Sequence, residues 1–246
     1  MRKLQCLNGT HLKLLAMALM LCDHMWGTGV LGYDWLTLIG RMAFPIFAFQ
    51  IAEGCALTHN MKGYLQRMLI FALISEIPYN YMMGGGPFDP FEQNVMWTFL
   101  LAMLLIYWLQ LRWEKDPSPR RRLLDAAAAL LMGFLAGTIG MVDYFGFGVV
   151  TVLIFWLTRD FKWGWAVQLL SLGYINCVLM GGRSYILHLG GQEIWIPQQG
   201  FAMLAFLPIF LYNGKKGPGG KFLHWFGYAF YPLHIAILVA IAFRMS

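Results

Sequence analysis

The chain alternates between long apolar stretches and short polar connections. Most of the stretches approach the roughly 20 residues that a helix needs to cross the hydrocarbon core of a bilayer, and the eighth is short enough to be re-entrant. The nine stretches are 12–31, 35–57, 64–82, 95–111, 122–140, 144–158, 163–181, 199–212 and 226–243. This pattern predicts an all-α fold, a polytopic integral membrane bundle of about nine transmembrane helices that forms a single domain over residues 1–246.

The composition agrees with a membrane protein and argues against a nucleic-acid-binding one. Hydrophobic residues make up 59% of the chain and charged residues 12%, whereas soluble domains carry about 25% charged residues. The formal net charge is +6, but Lys and Arg are spread over several short connections rather than one surface. We therefore expect these basic residues to contact the cytoplasmic leaflet of the lipid bilayer or an anionic cosubstrate. None of the four cysteines has C-x-x-C spacing, so no metal site is expected.

The basic residues fall on every second connection, which predicts the orientation of the chain. The intervening connections carry mostly acidic residues, so the positive-inside rule puts the N-terminus in the cytoplasm and, after nine spans, the C-terminus outside. The basic residues are Arg2, Lys3 and Lys13, then Lys62 and Arg67, then Arg112 through Arg122, then Arg159 and Lys162, and finally Lys215, Lys216 and Lys221.

Ionisable side chains lie within the predicted spans, where they are costly and usually face a polar cavity or a partner. These residues are Asp23, His24, Arg41, Glu53, Glu76 and His234. Each is a functional hypothesis, and each has a structural alternative. Asp23 and Arg41 could form an ion pair that only makes both groups tolerable in lipid. The two glutamates could be satisfied by neighbouring polar groups, and the two histidines could serve packing alone.

Lys13 and His24 are eleven positions apart. At about 100° per residue they share one helix face, separated by roughly 16 Å along the axis. One helix could therefore hold a cationic anchor at one end and, at the other, an imidazole that accepts a proton near neutral pH. Asp23 points about 100° away from His24, which makes a pairing with Arg41 the alternative for that carboxylate.

A glycine-rich basic stretch, YNGKKGPGGK, covers residues 212–221. Its lysines and backbone N–H groups could bind a phosphate-rich ligand, although the spacing is not that of a known nucleotide-binding fingerprint. The alternative is a positively charged loop that only determines topology.

Several stretches resemble the TraX family, whose namesake is the F-pilin N-acetylase. They include LKLLAMALMLCDH (12–24), residues 39–80 with GR-x-x-FP-x-F, residues 94–104, VDYFGFGVV (142–150), LYNGKKG (211–217) and FYPLH (230–234). Lys13 and His24 also resemble the K/R-x10-H arrangement of the family-three membrane acyltransferases. The resemblance implies an acyltransferase of the bacterial inner membrane that uses acetyl-CoA supplied from the cytoplasm. The acceptor would be a protein N-terminus, a glycan or a small molecule.

On that basis the candidate residues receive roles. His24 is the expected general base, with His234 as the alternative base and with Asp23 and Arg41 as the electrostatic surroundings. The expected substrate-binding residues are Lys13, Glu53, Glu76 and Asn94. The expected residues for coenzyme A are Lys215, Lys216, Asn213 and Arg67. Two other classes remain open: a small proton- or solute-coupled transporter, and a structural or assembly protein in which every buried charge is paired.

Overall fold

A computed structural model describes residues 5–245, with the backbone alone given for Leu187 and Leu189. Arg2 and Lys3, which contributed to the predicted orientation, lie outside the described residues. The elements in chain order are α1 (Gly9–Gly27), α2 (Asp34–Gly40), α3 (Ala43–Leu57), α4 (Met61–Met82), α5 (Val95–Lys115), α6 (Pro119–Ile139), α7 (Phe145–Leu157), α8 (Gly164–Tyr174), a π-helical turn (Ile175–Leu179), β1 (Ser184–Leu189), β2 (Gln192–Pro197), a 3₁₀ helix (Gln198–Ala205), α9 (Phe206–Phe210) and α10 (Gly220–Met245).

The helical prediction is confirmed in its main features, since every predicted apolar stretch contains helix. Within residues 5–245, four helical segments are long and apolar enough to cross a membrane: Asp34–Leu57, Val95–Lys115, Pro119–Ile139 and Gly220–Met245. Shorter apolar helices cover Phe145–Leu157, Gly164–Leu179 and Gln198–Phe210. The count of nine spans and the cytoplasmic N-terminus stay predictions.

The outer surface of the bundle is strongly apolar. On α4, Ile70, Leu73 and Ile77 are each more than half exposed and follow one another at helical spacing. Leu124 and Leu131 form a similar row on α6. A soluble monomer rarely exposes continuous apolar faces of this kind, so these helix faces are suited to contact with lipid.

Small residues allow α6 and α7 to pack closely. A Cβ added at Gly137 would lie 2.8 Å from the Cα of Gly146, and one added at Gly146 would lie 2.1 Å from the backbone oxygen of Phe134. The G-x-x-x-G spacing of Gly133 and Gly137 therefore serves helix packing, as such pairs commonly do in membranes. α7 in turn packs against α3 and α5 at the centre of the bundle.

One element departs from the all-α prediction. β1 and β2 form an antiparallel hairpin in which Ser184 pairs with Pro197 and Leu189 pairs with Gln192. Gly190 and Gly191 close it with φ values of 57° and 83°, the backbone conformation that a two-residue type I′ turn requires at both positions. The sequence analysis did not predict the hairpin, although Gly190 and Gly191 between two six-residue strands are a hairpin signal.

Candidate functional site

A cavity of about 550 Å³ lies between α1, α3, α4, α5 and α10. Lys13 and His24 both line it, which confirms that these two residues share one face of α1. Because they are separated by roughly 16 Å along the helix, the cavity has two chemically distinct ends. We call the end around Lys13 the basic mouth and the end around His24 the histidine end.

At the histidine end, His24 on α1 meets His234 on α10. The Nδ1 atom of His24 lies 2.7 Å from the Nε2 atom of His234, and the two rings are nearly parallel with an interplanar angle of 7°. The Nδ1 atom of His234 lies 2.6 Å from the carbonyl oxygen of Phe230. His234 is 5% exposed and does not line the cavity, so it sits behind His24.

These contacts assign the protons of the two neutral rings. A carbonyl oxygen can only accept, so Nδ1 of His234 carries a hydrogen and donates it to Phe230. Nε2 of His234 must then accept from Nδ1–H of His24, which leaves the lone pair of His24 on Nε2. Among the described residues nothing hydrogen-bonds to that Nε2 atom. His24 therefore presents a proton acceptor at the cavity wall.

Asp23 and Arg41 form an ion pair beside this histidine, as one of the two sequence interpretations expected. Thr37 donates from its hydroxyl to Oδ1 of Asp23 at 2.8 Å, so the carboxylate is held from two sides. A Cβ at Gly40 would lie 2.5 Å from the Cβ of Asp23, which explains why glycine occupies this contact between α1 and α2. Asp23 lines the cavity, whereas Arg41 does not.

A second carboxylate, Asp143, lines the same end and was missed as a site residue by the sequence analysis. It lies between α6 and α7 in a turn where Met141, Tyr144 and Phe145 have φ values of 49°, 62° and 49°. Non-glycine residues in this left-handed region cost of order 1–3 kcal/mol each and cluster at functional sites. The Thr98 hydroxyl donates to the Asp143 carbonyl at 2.6 Å and anchors the turn.

The environment of Asp143 favours a neutral carboxyl. Burial raises the pKa of Asp143 to about 7, while the positive charge of Arg41 opposes that shift. Arg41 thus attracts two carboxylates, Asp23 through a direct ion pair and Asp143 through its charge. The histidine end carries a partly neutralised acidic cluster.

The basic mouth contains Lys13, Arg67, Lys216 and His224, all of which line the cavity. The three cations lie close enough to His224 to repel its protonated form. Nε–H of Arg67 donates to the hydroxyl of Tyr228 at 3.4 Å, and its guanidinium lies 5.9 Å from the centre of that ring. Glu53 also lines the cavity, but its carboxylate is paired with Arg159, so the positive side chains of the mouth suit an anionic ligand.

The YNGKKG stretch positions only one of its two lysines in this mouth. Its backbone runs along the start of α1, where the N–H groups of Gly9 and Thr10 donate to the carbonyls of Lys215 and Lys216 at 2.8 and 3.0 Å. Gly217 has a φ of 81°, and a Cβ there would lie 2.2 Å from Oδ1 of Asn8. These contacts use the free N–H groups at the start of α1.

Two other predicted coenzyme A residues lie away from the cavity wall. Lys215 is exposed and does not line the cavity. Asn213 accepts the N–H of Lys215 at 2.9 Å in a local turn. The structure therefore brings Lys216 and Arg67 to the cavity and leaves Lys215 and Asn213 outside it.

The predicted substrate-binding residues divide in the same way. Glu53 lines the cavity but pairs with Arg159, and this hydrogen bond raises the pKa of the Arg159 guanidinium. Asn94 caps α5 by accepting the N–H of Met96 at 3.0 Å and donates to Oε1 of Glu76 at 2.6 Å. Neither Glu76 nor Asn94 lines the cavity, so both have contacts that suit a structural role.

Three residues on α10 that the sequence analysis did not single out as site residues also line the cavity. His224, Tyr228 and Tyr231 follow one another at i, i+4 and i+7. This spacing places them on one helix face and was a signal available in the sequence. Among residues 5–245, no group of three or more His, Cys, Asp or Glu side chains is arranged to hold a metal ion.

Known proteins with similar sequences indicate the family to which this chain belongs. The probable fimbrial assembly protein FimC, serogroup H1, of Dichelobacter nodosus is 27% identical in an alignment 251 positions long that covers 92% of each chain. Protein TraX of Escherichia coli is 31% identical over 52% of this chain and 48% of its own length. Protein TraX of Escherichia coli strain K12 is 29% identical over 54% of this chain and 49% of its own length. The chain therefore spans about half the length of either TraX protein. No solved structure matches. The family model described as TraX protein matches residues 8–242, and the chain therefore belongs to the TraX family.

Proposed function

We propose that this protein is a multi-pass acyltransferase of the bacterial inner membrane that transfers an acetyl group from acetyl-CoA to an amine or hydroxyl. The observation that carries the proposal is the single cavity that joins a basic mouth to a histidine with a free Nε2 atom. The anionic phosphates of a coenzyme A donor fit the charge of the mouth. The TraX family membership adds support from sequence.

In this proposal Lys216, Arg67 and Lys13 bind the phosphates, and the thioester reaches the histidine end. The acceptor lone pair attacks the thioester carbonyl carbon while Nε2 of His24 takes the acceptor proton. The carbonyl π electrons move to oxygen and give a tetrahedral oxyanion. When the C=O bond forms again, the C–S bond breaks and the thiolate receives the proton from His24. His234 accepts from Nδ1–H of His24 throughout and holds the ring in the required tautomer.

The acceptor end of the cavity is lined by Asp23 and Asp143. The relatives named as TraX and as a fimbrial assembly protein suggest a pilus-associated acceptor, such as the N-terminus of a pilus subunit. We propose this as the first acceptor class to test. A glycan or a small molecule is the next class.

Acetyl transfer by the purified protein tests the proposal directly. Labelled acetyl-CoA should yield labelled acceptor, and His24→Ala should reduce turnover by roughly 10²-fold or more, as expected for loss of a general base, with donor binding retained. Substrate-dependent flux in proteoliposomes without acetyl transfer would instead identify a transporter. Neither activity, together with tolerance of the His24→Ala change, would favour an assembly protein.

The proposed orientation has its own test, because the donor must reach the basic mouth from the cytoplasm. Single cysteines introduced at 58–63, 112–122, 159–162 and 213–221 should resist a membrane-impermeant thiol reagent in intact cells. Labelling at two or more of these segments would invert or break the nine-span topology.

A further inference from the structure

Tyr231 is a buried tyrosine of α10 whose hydroxyl has no assigned task. The residue is 3% exposed, lines the cavity and lies next to both histidines, with ring centroids 6.0 Å from His24 and 5.9 Å from His234. Among the described residues its buried hydroxyl has no hydrogen-bond partner of normal geometry. Buried hydroxyl groups are nearly always paired, so an unpaired one at a cavity wall needs an explanation.

A backbone donor lies beside that hydroxyl. The backbone N–H of Val95, at the first position of α5, lies near the phenol oxygen. The Asn94 side chain accepts from the N–H of Met96, the residue after Val95, and the Val95 N–H has no backbone acceptor among the described residues. The N-terminus of a 21-residue helix carries a partial positive charge. A developing oxyanion would therefore find an O–H donor that has no other acceptor, beside the start of a helix.

We propose that Tyr231 is a catalytic residue that donates a hydrogen bond to the oxyanion of the tetrahedral intermediate. The inference rests on the acyl transfer proposed above. When the acceptor attacks, the carbonyl π electrons move to oxygen, and Tyr231 stabilises this charge without losing its own proton. Collapse returns the electrons to the C=O bond as the C–S bond breaks. His24 and Tyr231 thus act on the two sides of one reacting carbonyl, the first as base and the second as electrostatic donor.

A structural role for the hydroxyl makes a different prediction. A hydroxyl that stabilised the fold would donate to a partner, whereas this O–H donates to no acceptor among the described residues. Tyr185 offers a matched comparison, because its hydroxyl is also buried without a partner but its side chain does not line the cavity. The pair Tyr231→Phe and Tyr185→Phe removes the same atom from two sites that differ in their relation to the cavity.

The test uses the full-length purified protein with acetyl-CoA and an acceptor that the wild type acetylates. Tyr231→Phe should lower kcat by about 10²–10³-fold, the usual effect of losing one oxyanion donor, with KM for acetyl-CoA and the shape of the pH profile unchanged. Tyr185→Phe should behave as wild type. Binding of coenzyme A by Tyr231→Phe, measured by calorimetry, should equal wild type and shows that the variant is folded.

Three results would overturn the inference. A Tyr231→Phe variant with near wild-type kcat, alongside an inactive His24→Ala variant, would remove Tyr231 from the mechanism and leave the acyltransferase proposal standing. Loss of coenzyme A binding in Tyr231→Phe would make its role structural. Absence of any acetyl transfer by the wild type would reject the acyltransferase proposal and, with it, the oxyanion donor.

Discussion

The contact between His24 and His234 gives the sharpest prediction about mechanism. In His234→Phe the aromatic ring can keep its stacking on Phe230, which has a centroid distance of 4.5 Å and an interplanar angle of 15°. The nitrogen that accepts from Nδ1–H of His24 at 2.7 Å is lost. The variant therefore removes the acceptor for His24 and the Nδ1–H donor to the Phe230 carbonyl, with little change in packing volume. His234→Gln lacks that Nδ1–H as well, so the two variants differ in the acceptor.

The magnitude follows from the burial of that donor. A buried N–H left without an acceptor costs about 1–3 kcal/mol. His24 can escape this cost only by changing its tautomer or rotating, and both remove the free Nε2 lone pair from the cavity. If the whole cost appears in the transition state, kcat/KM falls by roughly 5- to 150-fold, since about 1.36 kcal/mol corresponds to a tenfold change. The loss should be smaller than that in His24→Ala.

His234→Gln is the matched control for this experiment. The glutamine amide oxygen can accept from Nδ1–H of His24, so the variant should recover a substantial part of the activity. Steady-state acetyl transfer by the three variants, compared at one pH, provides the measurement. Wild-type kcat/KM in His234→Phe would refute the tautomer argument. Equal losses in His234→Phe and His234→Gln would show that hydrogen-bond acceptance is not the role of His234. A larger loss in His234→Phe than in His24→Ala would make His234 the better candidate for the base.

Three further predictions address the mouth, the acidic cluster and the helix packing. Lys216→Ala should raise KM for acetyl-CoA roughly tenfold with kcat little changed, because it removes a charged hydrogen bond made in the ground state. Lys215→Ala should change neither constant. Equal effects of the two substitutions in steady-state kinetics would contradict the assigned geometry. Asp143 binds a proton more tightly in the folded protein, since its pKa is raised to about 7 from about 3.9 when unfolded, so stability should fall as pH rises between these values. Asp143→Asn should lose that dependence on pH. If the melting temperatures of the wild type and of Asp143→Asn changed in parallel from pH 4.5 to 8, the Asp143 carboxyl would be ionised throughout that range and the prediction would be wrong. Gly146→Ala should cost about 1–3 kcal/mol through overpacking against α6, while Gly27→Ala, where a Cβ meets nothing within 4 Å, should melt near wild type in detergent.

Local sequence patterns determined where the helices form. Each apolar stretch needs helix to satisfy its own backbone hydrogen bonds in a nonpolar environment, and this requirement depends only on neighbouring residues. The shared face of Lys13 and His24 follows equally from the helical repeat, and both residues line the cavity. The Asp23–Arg41 ion pair was also among the sequence interpretations, because a buried charge needs a partner close by.

The tertiary structure alone decided which distant residues meet. His24 and His234 are 210 positions apart, and no local repeat indicates that α1 and α10 face each other with these side chains in register. The same applies to Glu53, whose partner Arg159 lies 106 positions away. Packing also separated residues that the sequence treats alike: Lys216 lines the cavity whereas Lys215 does not, because the backbone between them is fixed by hydrogen bonds to the start of α1. Helix formation is a local consequence of composition and periodicity, whereas the site depends on long-range packing that those patterns do not encode.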